Sequence, residues 1–127
     1  MFLQVGSTSG NYGNIVNNQW YHVAVCVTSG GVATFYINGS SVGSTSGFGG
    51  PSNTTLKIGT QWAGTYFGGY TSNARISNTV RYSSNFTPQT TPFVSDANTL
   101  FLSCQSNRFV DNSSNAYALS VGAGSPS

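Results

Sequence analysis

Gln19-Trp20-Tyr21-His22-Val23-Ala24-Val25-Cys26-Val27-Thr28, the turn Ser29-Gly30-Gly31, the run from Val32 to Ile37 and the pair Asn38-Gly39 decide the fold. Strand side chains alternate faces, so Tyr21, Val23, Val25 and Val27 share one side. Trp20, His22, Ala24 and Cys26 share the other. Both sides are largely apolar, which predicts a central strand rather than an edge. Asn-Gly between two apolar runs predicts a type I′ hairpin turn, because both central residues of that turn need positive φ. A two-residue loop there would set Phe35 opposite Val42.

Working outward, Phe2 to Val5, Thr55 to Gly59, Tyr70 to Ile76, Thr99 to Ser103 and Ala116 to Val121 read as further strands. Gly6 to Gly13 and Gly43 to Asn53 read as turns and loops, the second closed by Pro51. Gln61 to Gly69 is a glycine–aromatic stretch. Asn78 to Asn85 is predicted as one short helical turn that packs Val80 and Tyr82. Phe86 to Pro92 holds two prolines and is expected to be extended. Phe67, Tyr70, Tyr82 and Phe86 read as core or corner residues. Short strands with regular turn signals predict an all-β, antiparallel sandwich or jelly roll. One domain is expected over 1–122, with 123–127 as a tail or linker.

Composition supports this reading. Ser, Thr, Asn and Gly make up half of the 127 residues. Residues that favour strands (Val, Ile, Thr, Tyr, Phe, Trp) number 46 against 23 good helix formers, so the balance favours β structure. The only charged side chains are Lys57, Arg75, Arg81, Arg108, Asp96 and Asp111, and there is no Glu. Four scattered basic residues give no electrostatic footprint for nucleic acid. No apolar run approaches the length of a membrane span, and no secretion signal is visible at the N-terminus.

The order of motifs resembles one family. Trp20-Tyr21-His22-Val23-Ala24-Val25 precedes Phe35-Tyr36-Ile37-Asn38-Gly39, Leu56-Lys57-Ile58-Gly59, Tyr66-Phe67-Gly68-Gly69-Tyr70 and Ala74-Arg75-Ile76. Val80-Arg81-Tyr82, Phe86-Thr87-Pro88 and Leu100-Phe101-Leu102-Ser103-Cys104-Gln105 follow. This is similar to the concanavalin A-like lectin/glucanase superfamily in its laminin-G form. The closing motifs, from Tyr82 through Asn85-Phe86-Thr87-Pro88 to Gln105, resemble versions in bacteriophage virion proteins, notably of marine phages. The resemblance covers about Leu3 to Val121. It implies a two-sheet jelly roll of the concanavalin A-like kind that binds glycans or serves in adhesion. Two departures stand out. Family domains carry more strands before the Trp-His strand, so the chain is expected to be a fragment, a compact variant, or a domain completed by another chain. Ser72 and Asn73 also stand where the family often has an acid beside the Arg-Ile strand, which puts an ion pair to Arg75 in doubt.

Catalysis finds few candidates. Glycoside hydrolysis needs two flanking carboxyls, and Asp96 and Asp111 lie apart in loop-like contexts. Gly39-Ser40-Ser41-Val42-Gly43 matches the nucleophile-elbow pattern, but it begins in a hairpin and not at a strand-to-helix turn. His22 reads as a packing residue. Zinc has one His and two distant Cys to choose from. Cys26 and Cys104 read as small buried hydrophobes, and their pairing stays open. No cofactor is expected; Asp96 and Asp111 are weak calcium candidates, with turn-forming hydrogen bonds as the plainer role. The better lead is aromatic. Tyr12, Trp62 and Tyr66 lie in Gly/Asn-rich loops, where an exposed ring beside amides would form a sugar platform. Capping the core beneath those loops is the plainer role there too.

Sheet edges are usually guarded by Lys, Pro or bulges, and this chain has one Lys. At least one edge is therefore expected to be covered by another chain or a missing segment. The partners expected are other virion chains or self-association through uncovered sheet edges, together with cell-surface glycans, and neither nucleic acid nor a membrane interior. The expected function is a non-enzymatic lectin-like structural or adhesion protein of a phage particle: a capsid decoration, head-fibre or tail-appendage protein. The alternatives are a secreted or cell-surface lectin and a ligand-free cement protein. The expected location is the virion, with secretion as the alternative.

Overall fold

The computed structural model describes residues 2–5, 8–11, 15–50, 56–59 and 66–121. Seven strands follow in order: β1 Phe2–Val5, β2 Thr8–Asn11, β3 Val23–Val27, β4 Ala33–Ile37, β5 Ser40–Thr45, β6 Ala74–Ser77 and β7 Thr99–Ser103. Every pairing is antiparallel: β1 with β2, β3 with β4 with β5, and β6 with β7. No helix occurs among the described residues. The all-β, antiparallel fold class read from the sequence stands.

Two compact units contain these strands. The first comprises Met1–Leu56 with Val80–Gln89, the second Lys57–Thr79 with Thr90–Ser127. In the first unit β4 holds the middle of its described sheet, a place the sequence pattern assigned to β3. Ala33, Phe35 and Tyr36 are buried, so both faces of β4 are covered, and Cys26 is buried beside them on β3. Complete burial of a ring such as Phe35 is worth roughly 1.5–3 kcal/mol.

Asn38 and Gly39 turn β4 into β5 with φ of 50° and 80°, as a type I′ turn requires. The register beyond the turn differs from the simple ladder. Ile37 faces Ser40 and Tyr36 faces Ser41, but Phe35 faces Gly43. Val42 is the extra residue of a β-bulge, which removes it from the place opposite Phe35.

The segment from Val80 to Gln89 fastens this hairpin. Phe86 N–H donates to the Gly39 carbonyl at 2.9 Å, and Ser41 N–H donates to Asn85 Oδ1 at 2.8 Å. A side chain at Gly39 would collide with the Phe86 carbonyl oxygen. The expected helical turn over 78–85 is absent. Tyr82 instead stacks on Phe86 at 3.5 Å with an interplanar angle of 6°, and Val80 is exposed. Both rings pack against Tyr36, and the Tyr36 hydroxyl donates to the Tyr82 carbonyl at 3.4 Å. His22 completes the cluster, edge-on to Phe86 at 5.3 Å and to Tyr82 at 6.0 Å. This is the packing role expected of it.

In the second unit β7 spans the residues read from the sequence, and Thr99, Phe101, Leu102 and Ser103 are buried. β6 is shorter than expected, and Leu56 to Gly59 and Ala116 to Val121 are not strands. Thr8–Asn11, read as turn-rich, is a strand. The 116–121 segment does not extend the sheet, because the β7 edge is occupied in another way. Leu102 N–H donates to Asp111 Oδ1 at 3.0 Å, and the Leu102 carbonyl accepts Asn112 N–H at 2.6 Å. The Leu100 carbonyl accepts from Ser113 Oγ at 3.2 Å and Asn115 Nδ2 at 2.8 Å. Three side chains and one backbone amide thus stand in for a strand. Both cysteines are free thiols.

Candidate functional site

Of the three aromatic residues read as a sugar platform, Tyr66 lies among the described residues; Tyr12 and Trp62 lie outside them. Tyr66 is 58% exposed. It does not stand alone: Phe67 is 63% exposed and Tyr70 77%. The sequence pattern read those two as core or corner residues; the structure exposes both, which excludes the core. The reason is local. Residues 67–73 form no strand, so no partner strand dictates which face each ring takes. Phe67 N–H donates to the Gly59 carbonyl at 2.9 Å, where Gly59 has φ of 75°, and this pins the start of the stretch. The Phe67 ring then lies against Gly69, whose missing Cβ leaves room for it. The signal that could have found the site is the Gly68-Gly69 pair, which separates aromatic residues that have no alternating apolar neighbours. Trp20 is likewise exposed, because it precedes the start of β3.

Three aromatic side chains close together in sequence, two of them phenols, are thus exposed along one loop. Such rings cover the C–H faces of a sugar, and the hydroxyls bond its hydroxyl groups. Thr71 and Ser72, both exposed, continue the stretch with further hydroxyls.

The two aspartates have other work. Asp96 Oδ1 accepts Asn98 N–H at 3.0 Å and the Thr99 hydroxyl at 2.8 Å, and Thr99 N–H donates to the Asp96 carbonyl at 3.0 Å. Asp96 therefore shapes the turn that leads into β7. Asp111 is buried. Its Oδ1 accepts from the N–H groups of Leu102 and Ser113 at 3.0 and 2.9 Å. Its Oδ2 accepts from the Ser113 hydroxyl at 2.9 Å and Tyr117 N–H at 3.0 Å. Burial pushes this carboxyl up, but the backbone donors of Leu102, Ser113 and Tyr117 and the Ser113 hydroxyl outweigh it. The result lies below the usual carboxylate range. Both oxygens are occupied by donors, which does not fit a calcium ligand. A depressed pKa also does not fit a general acid, which needs its proton near neutrality. No group of three potential His, Cys, Asp or Glu ligands occurs among the described residues.

Asn73, where the family often has an acid, anchors a loop through its amide. Its Oδ1 accepts from Phe93 N–H and from Gln105 Nε2, each at 3.2 Å, and its φ is 53°. Arg75 on β6 places its guanidinium over the Phe93 ring, 4.1 Å from the centroid.

The model of the concanavalin A-like lectin/glucanases superfamily, in its laminin-G form, matches residues 4–87. The chain belongs to this superfamily. No curated protein and no solved structure gives a significant match. The matched region contains the β4–β5 hairpin and ends at Thr87, within the segment that fastens it. A lectin-like binding role fits this class, whose domains are usually non-catalytic.

Proposed function

We propose that the chain is a non-enzymatic, lectin-like module that binds neutral glycans through the exposed rings of Tyr66, Phe67 and Tyr70. The observation that carries this reading is the exposure of three rings close together in sequence in a member of a lectin superfamily. Exposed rings beside phenolic hydroxyls supply the stacking faces and hydrogen bonds that a sugar takes. The sparse charge of the chain suits a neutral, hydroxyl-rich ligand better than an ionic one.

The reading extends to where the module works: a phage particle, as a capsid decoration, head-fibre or tail-appendage protein. The support is the resemblance of the closing motifs, Asn85-Phe86-Thr87-Pro88 and Leu102-Ser103-Cys104-Gln105, to those of virion proteins. A glycan array with the purified chain tests the first part. Binding that falls at least about tenfold in Tyr66→Ala and Tyr70→Ala supports it, a loss of about 1.4 kcal/mol. An array without binding would leave a ligand-free cement protein. Mass spectrometry of purified particles tests the second part, and absence of the chain from them would count for a secreted or cell-surface lectin.

A further inference from the structure

We infer that β3 is a self-association edge, and that its occupant is β3 of a second copy of this chain. The inference is independent of the glycan reading.

The hydrogen bonds between β3 and β4 fix which backbone groups of β3 point outward. Asn38 N–H donates to the His22 carbonyl at 2.8 Å, and Thr28 N–H donates to the Val32 carbonyl at 2.9 Å. The register between them is unbroken, from Val23 opposite Ile37 to Val27 opposite Ala33. In an antiparallel pair, residues that bond to one neighbour alternate with residues that face away. The even-numbered residues of β3 therefore bond to β4. The N–H and C=O groups of Val23, Val25 and Val27 face the other side, where no described residue bonds to them.

Among the described residues, this edge has none of the usual guards. It holds no Lys, no Pro and no bulge, and no charged residue lies between Gln19 and Val32. By contrast, β5 carries a bulge and gives its Ser41 N–H to Asn85, and the β7 edge is filled by Asp111, Ser113 and Asn115. The side chains along the open edge are small and apolar, and Val23 is 42% exposed.

The sequence of the strand selects the occupant. Val23-Ala24-Val25-Cys26-Val27 is nearly symmetric about Val25. A twofold axis at Val25 sets Val25 against Val25 of the partner subunit, and Val23 against Val27 of the partner subunit. Every outward N–H then meets an outward C=O, and each valine meets a valine. A twofold contact requires one patch to complement itself, and this strand does.

Sedimentation equilibrium of the full chain, from micromolar to near-millimolar concentration, tests the inference. A monomer–dimer equilibrium is expected. Val25→Pro removes one outward N–H per copy and leaves the bonds to β4 intact, since proline is tolerated at an edge. It should weaken self-association by about ten- to a hundredfold. Amide hydrogen exchange of the unaltered chain gives an answer even where Val25→Pro fails to fold. The amides of Val23, Val25 and Val27 should exchange more slowly as concentration rises. A monomer at all concentrations overturns the proposal. So does a dimer in which those three amides exchange at a rate independent of concentration; another segment would then cover the edge, or another face would mediate the dimer.

Discussion

Asn38 and His22 hold each other twice: His22 N–H donates to Asn38 Oδ1 at 2.9 Å, and Asn38 N–H donates to the His22 carbonyl at 2.8 Å. One residue thus turns the hairpin and also closes the ladder between β3 and β4 past its last strand pair. Asn tolerates φ near 50° better than most residues and can reach back with its side chain. Replacing it with Ala keeps the strained φ and loses the side-chain bond. Asn38→Ala should cost about 1–3 kcal/mol. Gly39→Ala should cost more, because its Cβ meets the Phe86 carbonyl as well as a φ of 80°. Urea unfolding midpoints would rank the two, and equal costs would argue against close docking of Phe86.

The fastening of the hairpin by Asn85 and Phe86 gives a second expectation. Asn85→Ala leaves the exposed Ser41 N–H to water and should cost about 1 kcal/mol. Phe86→Ala removes the stack on Tyr82 and the contacts with Tyr36 and His22, and should cost about 1.5–3 kcal/mol, since the ring is partly buried. Thermal unfolding followed by near-UV circular dichroism reads both, since the cluster contains two tyrosines.

Acid should act through Asp111. Its folded pKa lies below its unfolded value, so its contribution is fully present above about pH 3.9 and is lost as pH falls from there through the folded value. Asp111→Asn should flatten that part of the stability–pH curve. It should also cost about 2–3 kcal/mol at pH 7, because an amide nitrogen cannot accept the bonds that the second oxygen takes. A variant that keeps the full acid dependence would overturn the assignment to Asp111.

Arg75 and Phe93 supply a separate test within the second unit. The guanidinium sits over the ring at 4.1 Å, and a double-mutant cycle with Arg75→Met and Phe93→Leu should return a coupling of about 0.5–1 kcal/mol. A coupling of zero would mean that the two side chains merely adjoin.

The residues differ in how far the sequence exposes their roles. Asn38-Gly39 was readable because the I′ turn admits few residue types, and β7 was readable because an apolar run stands between turn signals. Val42 was not, since a bulge follows from three-dimensional packing and leaves alternation as the only visible pattern. Phe67 and Tyr70 carry the composition of a core, and only the absence of a neighbouring strand turns them outward. Asp111 was legible as a hydrogen-bonding residue. Its reach across nine positions to Leu102 was not, because nothing local points there.

The closing of the β7 edge by Asp111, Ser113 and Asn115 has an environmental consequence. Edges kept apart by surface lysines lose their protection in brine, where charges are screened within a few ångströms. Hydrogen bonds between hydroxyl, amide and backbone groups are far less sensitive, and the one carboxylate involved is shielded from bulk ions by its burial. The closing of this edge should therefore change little between dilute and concentrated salt.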